Sequence, residues 1–90
     1  MKTTTAAIVA AGQAVAGPCT VYGVTLLADA VNPAVIQVRD GGAAGEIRAY
    51  LGAPVSEASP PLHFRGVGFT TDVWITGVNI AGVTVEYMPD

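Results

Sequence analysis

The sequence predicts an all-β fold, a single antiparallel β-sandwich of jelly-roll or immunoglobulin-like type with an extended N-terminal arm. Three observations carry this. From Thr20 onward, short runs of β-branched and aromatic residues are broken by Gly, Pro or Asn at intervals of about eight to twelve residues, the spacing of sandwiches and barrels. Within the runs apolar and polar residues alternate with period two, and no stretch holds a helical period long enough for an ordinary helix. The chain has 90 residues, which is enough for one core and too few for two.

The elements follow in order. Residues 1–18 read as an arm, rich in Ala, Thr and Gly with Lys2 as the one charge, and residues 19–90 as the sandwich domain. The arm superficially resembles a signal peptide ending at Ala14-Val15-Ala16, but Gly12 and Gln13 interrupt its short apolar segment. Such an arm is expected to be ordered only by docking on the body or on a neighbour. Val21 to Leu27 is the first strand, stopped by Asp29 and by the turn dipeptide Asn32-Pro33. In Ala34 to Asp40, Ala34, Ile36 and Val38 share one face, while Val35, Gln37 and Arg39 share the other. Asp40-Gly41-Gly42-Ala43-Ala44-Gly45 is a turn. The chain returns through Glu46 to Leu51, with Ile47, Ala49 and Leu51 inward and Glu46, Arg48 and Tyr50 outward. That hairpin sets Arg39 and Asp40 within reach of Arg48 and Glu46.

Gly52 to Pro61 holds Pro54, Pro60 and Pro61 and is expected as a loop crossing a sheet edge. Leu62 to Phe69 forms the next strand, with a bulge expected at Gly66 and Gly68. Asp72 to Thr76 places Trp74 opposite Val73 and Ile75. Gly77-Val78-Asn79 turns the chain, and Val83, Val85 and Tyr87 alternate with Thr84 and Glu86 in a last strand. The expectation is six or seven strands in all.

Composition narrows the function. Half the residues are hydrophobic (51%) and 12% are charged, with a mean hydropathy of +0.50, which excludes a disordered acidic tail. Four Lys and Arg against seven Asp and Glu give a net charge of -3, too few cations to neutralise a run of phosphates, so no nucleic-acid partner is expected. Anionic membrane surfaces are disfavoured for the same reason. No apolar run is long enough to span a bilayer as a helix, and no membrane partner is expected. Catalysis needs convergent groups, and the candidates are sparse. His63 stands on a strand beside Arg65, Cys19 follows Pro18 with no cation near it in sequence, and Asp29, Asp40, Asp72 and Asp90 fall at turns. One Cys and one His close no zinc site. No enzyme activity, catalytic residue, metal or cofactor is expected. The residues expected at an interface are Thr3, Thr4, Thr5, Ile8 and Val9 of the arm, apt to add as a strand to a neighbour's sheet, together with the out-of-phase aromatics Tyr50 and Trp74.

Val21-Tyr22-Gly23-Val24, the stretch from Val35 through Asp40-Gly41-Gly42 with Gly45 and Leu51, Phe64, Phe69-Thr70-Thr71-Asp72-Val73 and Val83-Thr84-Val85-Glu86-Tyr87 carry a resemblance. In strand and turn pattern, over Thr20 to Met88, they resemble the small β-sandwich or jelly-roll virion proteins of tailed bacteriophages. The resemblance implies a structural virion protein on the capsid surface. Its first form is a cement or decoration protein that binds the outer face of the major capsid lattice, with the major capsid protein and copies of itself, a trimer among them, as partners. The alternative it implies is a fibre or tail-associated adhesin module that binds a host-surface glycan.

Overall fold

The computed structural model describes residues 3–55, 57 and 62–89. The described residues form eight strands: β1 (Thr4–Ile8), β2 (Gly12–Ala16), β3 (Cys19–Ala28), β4 (Ala34–Asp40), β5 (Glu46–Ala53), β6 (Leu62–Phe69), β7 (Asp72–Val78) and β8 (Ile80–Pro89). All pairings are antiparallel, and they build two four-stranded sheets. The first has the order β1-β8-β3-β6 and the second β2-β7-β4-β5. The chain alternates between sheets at every connection except the β4–β5 hairpin, which is the eight-stranded jelly-roll arrangement. Of the two sandwich types expected, this is the jelly roll.

Period-two patterning explains the layers. In β4, Ala34, Ile36 and Val38 are buried while Val35 is exposed. Val21, Val24, Leu26, Val83 and Val85 of the first sheet meet Ile36, Val38, Val73 and Ile75 of the second, all at most 1% exposed. β3 keeps this core on one side by a bulge: its register shifts between Val21 and Gly23 against both neighbours, so burial passes from odd to even residues there. The bulge expected near Gly66 is the β6 side of the same irregularity, where Gly66 takes φ 95° under the Tyr22 ring. Gly77 lies inside β7, which runs on to Val78, and a Cβ there would collide with the backbone of Val35 and Ile36 in β4. The turn into β8 is made by Asn79 alone, at φ 62°.

The segment expected as an arm is extended and belongs to the sandwich. β1 pairs with β8 and β2 pairs with β7, so residues 4–16 supply one strand to each sheet. Ala6, Ile8, Ala14 and Val15 pack on the core from these strands. The physical reason is small side chains: they bury through pairing at a sheet edge, and they leave no alternation of large apolar residues to read. β5 keeps its expected alternation of exposure, with Glu46, Arg48 and Tyr50 exposed and Ile47, Ala49 and Leu51 less so. The register shift between Val38 and Arg39 lies beside Arg48, whose guanidinium reaches the end of the sandwich, 5.7 Å from the Phe69 ring centroid. Of the Pro-rich loop, Gly52 and Ala53 complete β5, and Pro60 and Pro61 lie outside the described residues, as do Met1, Lys2 and Asp90.

Candidate functional site

Each sheet ends in two strands with one unpaired side. β1 and β6 are the edges of the first sheet, β2 and β5 those of the second. β1 lies against β2, so one flank of the sandwich carries β1 and β2 and the opposite flank β5 and β6. Residues 3–18, which make the first flank, contain no charged residue. β1 pairs with β8 in unbroken register, and the only irregularity on this flank is the shift between Gln13 and Val15. The other flank is better guarded, with Glu46 and Arg48 in β5 and Arg65 beside the Gly66 bulge in β6.

The residues expected at an interface divide among these surfaces. Thr4 and Thr5 lie on the edge strand β1, with Thr3 just before it, and Val9 is 78% exposed in the β1–β2 turn. Ile8 points inward and packs on the core, so it is not available as an outward contact. Trp74 and Tyr50 both lie on the outer face of the second sheet, two strands apart, Trp74 half-buried and Tyr50 66% exposed.

Register orders that face into rows. Trp74 stands between Gln13 and Arg39, and in the next row Gln37 stands between Thr76 and Tyr50. A hydrogen-bonded chain joins the rows. Arg39 Nε donates to Thr76 Oγ1 at 2.9 Å, the Thr76 hydroxyl donates to Gln37 Oε1 at 2.9 Å, and Arg39 Nη1 donates to the Gly45 carbonyl at 2.9 Å. Composition alone marks none of Gln37, Arg39 and Thr76. The period-two alternation that put Trp74 outward was the available signal, had it been extended across the sheet.

The outer face of the first sheet carries a shallow depression of about 220 Å³ where Gly23 leaves a gap. Gly23 pairs with Glu86 on one side and His63 on the other, and Thr5 continues the row. His63 is exposed there, whereas Cys19 is wholly buried on the core side, so the two nucleophile or base candidates are on opposite faces of the sheet.

At one pole two buried carboxylates bracket each other's loops. Asp40 accepts from the Thr70 and Thr71 backbone N–H groups at 2.9 Å each, from Thr70 Oγ1 at 3.1 Å and from Arg48 Nη2 at 3.3 Å. Asp72 accepts from the Gly41 and Gly42 N–H groups at 3.0 and 3.1 Å and from Gln13 Nε2 at 3.1 Å. Burial pushes the Asp40 carboxyl up, but the donors of Thr70, Thr71 and the Asp72 backbone outweigh it and hold the pKa at about 2. Sequence reasoning assigned both aspartates to turns and missed this link, because it joins positions about 30 residues apart. Of the hairpin pairs expected, Arg48 meets Asp40 and Glu46, at 3.3 and 2.9 Å, while Arg39 turns to Thr76 and Gly45 instead. The opposite pole exposes a set of apolar side chains, Val9, Leu27, Val31, Val35, Val55 and Val78, exposed by 40 to 78%, toward the end where β3 turns into β4 and β7 into β8, and it carries Asp29 and the exposed Glu57 among them.

No protein-family model matches the chain, and no curated protein matches it. Among solved structures, the chain is similar to one from Bacillus endospore appendages, described as a novel family of disulfide-linked pili. The match has a TM-score of 0.50 at 17% sequence identity and covers 99% of this chain and 87% of that one. At that identity the likeness is one of fold: this small all-β sandwich and the pilus protein share their architecture over nearly the whole of this chain.

Proposed function

We propose that this protein is a structural, non-enzymatic subunit that builds an extracellular or virion assembly from repeated copies. The observation that carries the reading is the uncharged flank of β1 and β2, whose two open edges stand opposite a flank with two more. Unguarded edges are templates for strand addition. The first flank of one copy meets the second flank of the next, a heterologous contact that propagates into rings or filaments. The exposed valines of the opposite pole add a second surface for burial between copies. The likeness to a pilus subunit supports a polymer as the product. Any such polymer here is held without the disulfides named for those pili, since the single cysteine, Cys19, is wholly buried.

The resemblance to tailed-phage virion proteins supports a finer form of the same reading, in which the surface engaged is the capsid lattice and the protein acts as cement or decoration. Self-association separates the two. Light scattering after size exclusion over an about tenfold dilution reads the mass-action assembly directly. A filament subunit grows with concentration, and Thr5→Lys with Ala7→Lys on β1 abolishes the growth. A cement protein stays small alone and gains a lysine-sensitive partner only on adding the major capsid protein. A mass that is constant and identical in both variants, with no binding to capsid, overturns the reading.

A further inference from the structure

We propose that the outer face of the second sheet binds a neutral oligosaccharide, seated on Trp74 and Tyr50 and hydrogen-bonded by Gln37 and Arg39. The argument begins with the fixed chain of hydrogen bonds. Because Arg39 Nε donates to Thr76 Oγ1, the Thr76 proton is committed to Gln37 Oε1, which orients the amide. The Gln37 Nε2 group and Arg39 Nη2 are then left as donors with no partner among the described residues. They are pre-oriented by bonds their own side chains already make. A ligand for this face is therefore rich in acceptors.

Each donor has an aromatic neighbour in its own row, Tyr50 beside Gln37 and Trp74 beside Arg39. Two strands across and two residues along separate the aromatics, which from sheet geometry puts their Cα atoms about 12 Å apart. Two aromatic-and-donor pairs at that separation span more than one sugar unit and match alternate units of a short oligosaccharide. The CH-bearing face of a pyranose packs on an aromatic ring while its hydroxyl and ring oxygens accept N–H bonds. Val35, 47% exposed in the next row, extends the apolar floor.

Other occupants fit less well. A phosphate-bearing ligand would need more cations than Arg39, which already spends two of its nitrogens. A peptide strand finds its backbone partners at the sheet edges, not on this face. A second copy meeting face to face would set donors against donors.

Trp74 is the only tryptophan, so its emission reports on this face directly. The full chain is titrated with hexasaccharides of glucose, N-acetylglucosamine, xylose and mannose. The expected result is a saturable emission change with at least one of them. Gln37→Ala and Tyr50→Ala are each expected to weaken it about tenfold, while Thr84→Ala on the opposite sheet leaves it unchanged, with circular dichroism verifying the fold of each variant. No saturable change with any of the four sugars, or a change that persists in both Gln37→Ala and Tyr50→Ala, overturns the proposal. The test is independent of assembly, since it reads a sheet face while the assembly test reads the flank.

Discussion

Asp40 and Asp72 each close the loop the other begins, and the consequence is a stability term with a defined pH range. With its pKa held near 2 against an ordinary 3.8, Asp40 is depressed in the folded protein. Its contribution is therefore complete above the unfolded value and is lost as pH falls through about 2. The backbone N–H groups of Thr70 and Thr71 lose a charged acceptor in Asp40→Asn, and the amide cannot replace both carboxylate oxygens. That variant is expected to be less stable by about 1–3 kcal/mol at neutral pH. Urea unfolding at a series of pH values checks it: the gap to the parent protein should close between about pH 5 and pH 2. A gap that persists unchanged at pH 2 would show that the loss is steric.

At the scale of elements, β1 and β2 are structural strands before they are a contact surface. Removing residues 1–16 would strip a strand from each sheet and uncover the core beside Val83, Val85, Val73 and Ile75. The truncated chain is expected to unfold or aggregate, and loss of its thermal transition by circular dichroism would show this; a detachable arm would leave the transition in place. The runs from Val21 to Tyr87 were legible because large apolar residues alternate there, as in β4 and β7, and the same alternation correctly turned Trp74 and Tyr50 outward. β1 and β2 were not legible as strands of the sandwich. Their pairing depends on β8 and β7, more than 50 residues away, and Ala and Thr signal neither face. Arg48 alternates outward in β5 as period two predicts, and its reach to Asp40 and Glu46 follows from the hairpin. The carboxylate bracket and the Arg39–Thr76–Gln37 chain depend on which strands become neighbours, and period and composition do not encode that.

The whole molecule separates its properties by direction. Asp40 and Asp72 form a hydrogen-bonded cluster with Arg48 and Gln13 at one pole, exposed valines stand with Asp29 and Glu57 at the other, and the flank of β1 and β2 is uncharged. Contacts made by that flank and by the exposed valines rest on backbone pairing and apolar burial, terms that salt screens little. Assembly of the purified protein is accordingly expected to vary by less than about twofold between low and moderate salt, as followed by light scattering. A steep fall with added salt would instead place the contact on charged side chains such as Glu46, Arg48 and Arg65. The pairing of β1 with β8 also has a kinetic meaning. The first strand waits for the last, and of the strand pairs among the described residues only β4 with β5 closes locally. Most of the chain must therefore be searched before the first sheet exists, which makes folding slow for a protein of this length. During that search β3 lacks both of its partners, so a newly made chain displays the same kind of open edge that the finished molecule keeps only at its flanks. Productive joining of copies and misjoining of half-folded chains are then competing outcomes of one surface chemistry, separated only by time.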